Sequence, residues 1–256
     1  EAILAAGGAE RINTFSNFYL ACLGQVSWNA VPSIPPEIIW LPRWFYFHMS
    51  KVSAWTRTMI LPLAIVTALR PTRELPKDVH INELFIDDRA RHRLSRSEET
   101  PGLWSIFFSL VDSSLKLAHR VGTSPFRRLA VHRCLEWILR RASQDGEAAT
   151  DGLGAIFPPM ANLLMVLDSL GYSREHEVRQ TVRRSLDLLL TEPAGDSQYC
   201  QPCMSPIWDT GLAALAMMEA GEAADGEGMQ ATNAWMVERQ ITDVAGDWAD
   251  ARPDVP

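Results

Sequence analysis

Apolar residues in the second half of the chain recur at helical spacing, in segments that repeat about every 50 positions. Met160 to Leu170 enters after Pro158-Pro159 and stops at Gly171, while Gly211 to Ala220 enters after Trp208-Asp209-Thr210 and stops at Gly221. Proline or Asp/Thr ahead of the first turn, and Gly just past the last, answer the unsatisfied backbone groups at helix ends. A more polar helical segment follows each Gly, over 177–190 and 229–240, and an earlier one runs over 126–141. Trp137, Leu186 and Trp235 hold matching places in these three segments, 49 residues apart each time. The predicted unit is a helical hairpin that buries its apolar face only against neighbouring copies. Period-two alternation is not sustained, and no Asn-Gly or Asp-Gly turn joins two β-branched runs. The predicted fold class is all-α.

The first half is less regular. Prolines at 32, 35, 36, 42, 62, 71 and 76 cut it into short pieces, with helices predicted over 12–23, 55–69 and 103–121. A long polar connection over 70–101 carries Arg89, Arg91, His92, Arg93 and Arg96 ahead of the helix that begins at Leu103. In that helix Trp104, Phe107, Phe108, Val111 and Leu115 fall at i, i+3, i+4, i+7 and i+11, and Ile106 and Leu110 widen the face. Taken from the pattern alone, this is a helix buried against its neighbours, and the charge run is a solvated loop.

Composition changes this picture in a few places. With 256 residues, 47% apolar, 21% charged and nine Trp, the chain has the makings of a substantial core. A net charge of -7 offers nucleic acid no general attraction. Cys22, Cys134, Cys200 and Cys203 are too few and scattered for a disulfide framework, which points to a reducing compartment. Cys200-x-x-Cys203 has no second pair or suitably spaced His, and the six histidines show no paired-ligand spacing, so these read as structural thiols and no metal is expected. Gly152-Leu-Gly154 follows no strand and lacks a third Gly, so it is not a dinucleotide loop. The most apolar stretches, 59–69 and 103–111, fall short of the ~20 residues a membrane span needs. The opening residues carry no basic leader pattern and no initiator Met, which fits an internal piece of a longer chain.

The segment Gln201-Pro-Cys-Met-Ser-Pro-Ile-Trp-Asp-Thr210 is the most distinctive in the chain. With it, in order, stand Val31-Pro-Ser-Ile-Pro-Pro-Glu37, Leu41-Pro-Arg-Trp44, Asp151-Gly-Leu-Gly-Ala-Ile-Phe-Pro-Pro159, and Ala234-Trp-Met-Val-Glu-Arg-Gln240 with Gly246-Asp-Trp248. Together these resemble the squalene-hopene cyclase family over essentially the whole chain, the last of them being similar to its Gln-Trp repeat. The earlier repeat departs from that pattern, since no Trp follows Gln144 and Gly146.

The resemblance implies an incomplete α/α toroid, with 1–203 belonging to an N-terminal helical barrel and 204–256 opening a catalytic one. It implies cyclisation of squalene by protonation of a terminal alkene and a carbocation cascade to hopene, without metal or organic cofactor. Trp55 and Trp208 match positions lining the family's cavity, and Ile156 and Pro158 match its wall. Phe157 stands where some relatives carry Gln, which implies a different placement of water near the terminating cation. The family's Asp-x-Asp-Asp acid occurs nowhere in the sequence. Ile86-Asp87-Asp88 and the acids of 247–254 are poor substitutes, because protonating an alkene takes an unusually strong, well-oriented acid. Asp209 is expected to be structural, as an N-cap or a partner of Thr210. The resemblance further implies a monotopic protein on the cytoplasmic face of a bacterial membrane, touching the bilayer through Trp104, Phe107, Phe108 and Val111, with a homodimer among its assemblies. A helical-toroid scaffold without chemistry is the competing reading.

Overall fold

The computed structural model describes residues 1–93, 102–122, 125–142, 152–190 and 197–242. Nine α-helices lie within them: α1 Ala2–Ala5, α2 Thr14–Cys22, α3 Ala54–Leu69, α4 Gly102–Val121, α5 Pro125–Ala142, α6 Phe157–Ser169, α7 Glu177–Asp187, α8 Pro206–Glu219 and α9 Glu227–Glu238. Short 3-10 turns link them in the first half, and β-structure in the described residues amounts to isolated bridges. The all-α expectation agrees with this architecture. The expectations at Arg96, Gln144, Gly146, Asp151, Gly246, Trp248 and 247–254 lie outside the described residues.

Helix α3 is the centre of the packing, flanked by α5 and α6, with α7 against α6. Leu61 and Ile65 of α3 meet Cys134 and Ile138 of α5, Leu163 and Leu167 of α6, and Val182 of α7 in one cluster, each nearly inaccessible to solvent. Removing a Leu-sized side chain from water contributes ~1.5–3 kcal/mol. A smaller cluster joins Phe18 and Ala21 of α2 to Val26, Val31 and Leu63.

The repeat is visible in the helix ends. After α6, Gly171 N–H donates to Asp168 O and Tyr172 N–H to Leu167 O, both at 3.0 Å; after α8, Gly221 and Glu222 make the same pair of bonds to Met218 and Met217. This paired closure satisfies carbonyls that the helix leaves open. On the outer helices, the Arg141 guanidinium lies 3.6 Å over the Trp137 ring and Arg239 lies 4.2 Å over Trp235. Each also donates to the carbonyl of its own Trp, four residues back, where a cation suits the negative end of the helix. In α7 and its exit the corresponding pair is Leu186 and Leu190.

Helix α8 starts at Pro206, earlier than the sequence pattern predicts, because Pro206 takes the first helical position after Ser205. Trp208 therefore sits in the first turn. Asp209 neither caps the helix nor serves Thr210; its carboxylate accepts from Ser205 Oγ at 2.8 Å.

Candidate functional site

The second turn of α3, the loop that leads into α6 and the strap that leads into α8 are joined in sequence. Ser53 caps α3 by accepting from Thr56 N–H at 3.1 Å, and Thr58 Oγ1 donates to the Trp55 carbonyl at 2.7 Å. The loop 152–156 lies directly against this turn. Gly154 has φ +71°, and a Cβ there would stand 2.9 Å from Thr58 Oγ1; a Cβ on Gly152 would stand 2.5 Å from Met160 Sδ. The Gly-Leu-Gly sequence therefore lets the loop pass between α3 and α6 with Leu153 buried beneath it.

A strap over 200–204 then carries the chain to α8. Gln201 N–H donates to Leu189 O at 2.7 Å, Phe157 N–H donates to Pro202 O at 2.9 Å, and Met204 N–H donates to Ala155 O at 2.8 Å. Ile156 bridges Cys203 in antiparallel fashion. This stitching holds the strap that leads into α8 against the 155–157 segment that leads into α6. Trp55 lies in the first turn of α3, Phe157 and Pro158 in that of α6, and Trp208 in that of α8.

Their side chains differ in access. Trp55, Phe157 and Trp208 are 54%, 38% and 70% exposed, whereas Ile156 is buried at 4% beneath the strap. Three aromatic rings are thus open while the neighbouring aliphatic residue is sealed. Such rings attract a cation through their negative faces without offering it a lone pair. Asp209, the carboxylate beside Trp208, is engaged by Ser205.

Helix α4 forms a second candidate surface, and it is not the buried helix that its pattern alone suggests. None of its residues is buried, and Leu103, Trp104, Ile106, Phe107, Phe108, Leu110 and Val111 are all exposed. Asp112 and Lys116 face the body instead. The Asp112 carboxylate accepts from Ser33 N–H at 2.8 Å and pairs with Lys116 Nζ at 2.6 Å, and Nζ also donates to Asn29 O at 2.7 Å. Both side chains are close to nine-tenths covered. The aromatic face extends beyond the helix, since Phe108 stacks on Trp104 at 5.7 Å and meets Phe47 at 6.2 Å, and Phe47 adjoins Phe45 and Tyr46. The Trp44–Phe47 run was not singled out by the sequence as part of this surface, although four consecutive aromatic residues are an available signal.

Cys22, Cys134 and His119 read as structural. Burial pushes the Cys22 thiol up to about 11 and the Cys134 thiol up to about 12, so neither is a ready nucleophile. His119 is held below its usual value by burial and by the Arg70 and Arg127 guanidiniums. Arg127 in turn pairs with Glu37 at 3.0 Å. Among the described residues no group of three or more His, Cys, Asp or Glu side chains converges as a metal site. No helix there is long and apolar enough to cross a membrane.

Two family models match the chain: the squalene-hopene cyclase N-terminal domain over residues 1–194 and the squalene-hopene cyclase C-terminal domain over 204–256. Similar curated proteins include the squalene-hopene cyclases of Zymomonas mobilis, 40% identical over 99% of this chain, and Bradyrhizobium diazoefficiens, 41% identical over 100%. That of Alicyclobacillus acidocaldarius is 33% identical over 99%. The chain spans about 38% of the length of each of these relatives.

Proposed function

Because the chain belongs to the squalene-hopene cyclase family, we propose that the protein it forms part of cyclises squalene to hopanoid triterpenes. The observation that carries this reading is the strap over 200–204, which ties the approach to α8 to the loop that packs on α3 and leads into α6, with Trp55, Phe157 and Trp208 exposed. In the proposed reaction an acid protonates a terminal alkene of squalene, and the resulting tertiary cation is attacked by successive internal alkenes. Loss of a proton from the last cation restores neutrality, so the net change is isomerisation. Trp55 and Trp208 hold developing positive charge against their ring faces in a water-excluded hollow, each worth ~2 kcal/mol when desolvated. Ile156, Phe157 and Pro158 shape the wall where the cascade ends.

In the same reading 1–203 contribute to an N-terminal barrel and 204–256 begin the catalytic one, which the change from the shared core of α3, α5, α6 and α7 to the separate α8–α9 hairpin supports. The outward apolar face of α4 enters one leaflet of a bacterial membrane from the cytoplasmic side and admits the water-insoluble substrate. The 256-residue sequence contains no Asp-x-Asp-Asp, so by itself it is expected to leave squalene unchanged. The test is incubation of the full-length protein with squalene and chromatographic analysis of the products. Pentacyclic hopanoids are expected, and recovery of intact squalene alone, from folded protein, would overturn the proposal.

A further inference from the structure

A cleft of about 480 Å³ lies along one edge of α4, between that helix and the 3-10 turns Trp28–Ala30 and Asp88–His92. Its lining includes His92 and Arg93 from one side and Lys116, Leu117 and Arg120 from the other. Lys116 is already satisfied by Asp112 and the Asn29 carbonyl, so this pair forms a neutral floor. Arg93 and Arg120 differ, because among the described residues neither guanidinium donates a hydrogen bond to a protein acceptor. Two unused forks and an imidazole therefore line one opening, with Asp112, the single lining carboxylate among the described residues, neutralised by Lys116. Leu117, at the same opening, is 61% exposed and continues the outward apolar face of α4.

We propose that this cleft binds the anionic phosphate of a phospholipid head group, Arg93 and Arg120 donating to its oxygens while the acyl chains lie along the exposed face of α4. Guanidinium forks match phosphate geometry and are weakly hydrated, which suits them to a site at the polar boundary of a bilayer. The apolar face alone gives adhesion without lipid preference, whereas the cleft beside it adds selectivity for anionic lipid. This inference rests on the membrane reading of α4 but adds a named site and ligand chemistry to it.

The test uses full-length protein and two kinds of vesicle, pure phosphatidylcholine and phosphatidylcholine mixed with phosphatidylglycerol. Wild type is expected to bind the mixed vesicles more tightly, and Arg93→Gln/Arg120→Gln to lose about 20-fold there, at roughly fivefold per basic residue, with no change on the neutral vesicles. The charge-matched control Arg140→Gln/Arg174→Gln, whose positions are not part of the cleft lining, should stay within about twofold of wild type. An equal loss in the control would overturn the site in favour of diffuse attraction. Equal binding by the cleft variant and wild type would overturn it outright. Inorganic phosphate at constant ionic strength separates the sources: thermal stabilisation by phosphate that the cleft variant loses, with no preference between vesicles, would assign the site to a free phosphate and refute the lipid. Failure of the underlying membrane reading has a different signature, since wild type and Phe108→Glu would then bind neutral vesicles equally poorly.

Discussion

Helices α3 and α4 are both rich in large apolar residues, 16 and 20 residues long, yet they are placed in opposite ways. Every residue of α3 from Arg57 to Ala68 except Ile60 is buried, and Pro62 is carried within the helix. Helix α4 buries none and turns its aromatic residues outward. The difference does not follow from hydrophobicity, which is ample in both. It follows from where the polar groups find partners. In α3, Thr58 and Thr67 donate back to carbonyls of their own helix, Trp55 O and Ala64 O, and Thr67 Oγ1 also donates to Ile34 O. Asp112 and Lys116 reach instead to backbone atoms of the 29–33 segment, and holding these two charges against the body leaves the aromatic side of α4 in the open. An exposed apolar face of this kind marks an interaction surface.

Truncation should break the two helices unequally. Leu61→Ala in α3 is expected to cost about 2–5 kcal/mol of stability, read as a lowered urea midpoint, whereas Leu110→Ala in α4 should stay within about 0.5 kcal/mol. Comparable losses at both sites would mean that α4 is packed after all. A smaller effect is expected from the polar anchor. Asp112→Ala leaves Lys116 charged and largely covered, and should cost about 2–3 kcal/mol. Lys116→Met should recover part of that loss in the double variant, and strict additivity in the cycle would show that the pair is not coupled.

The smallest effect concerns pH. The folded value of His119 is depressed below 6.5 by burial and by Arg70 and Arg127, so on acidification the unfolded chain takes up its proton first. Stability from this group is therefore complete above the unfolded value and falls as pH drops from about 6.5 toward the folded value. His119→Gln should flatten the urea midpoint over that range relative to wild type. An unchanged slope would remove His119 from the account.

The comparison also explains what the sequence made legible. The extent of α4 was readable to within a residue, because a 3.6-residue stripe defines a face. Its orientation was not, because the atoms that decide it, Ser33 N and Asn29 O, lie 79 and 87 residues away in sequence. The start of α8 was misplaced because Trp208-Asp209-Thr210 imitates a capping sequence, while Pro206 sits in the true first turn. The helical hairpins were legible from Gly171, Gly221 and the 49-residue spacing. The strap over 200–204, which ties the approach to α8 to the start of α6, was not legible, since it is held by backbone bonds that no local pattern announces.

The same chain offers an internal contrast for the chemistry. Trp208 stands exposed in the first turn of α8, while Trp235 lies on α9 under the Arg239 guanidinium. The decisive measurement is the product distribution of full-length Trp208→Ala and Trp235→Ala proteins turning over squalene, compared with wild type. A larger share of partially cyclised products from Trp208→Ala, with Trp235→Ala less stable but unchanged in product pattern, is the predicted result. A wild-type product pattern from Trp208→Ala would contradict the role assigned to Trp208.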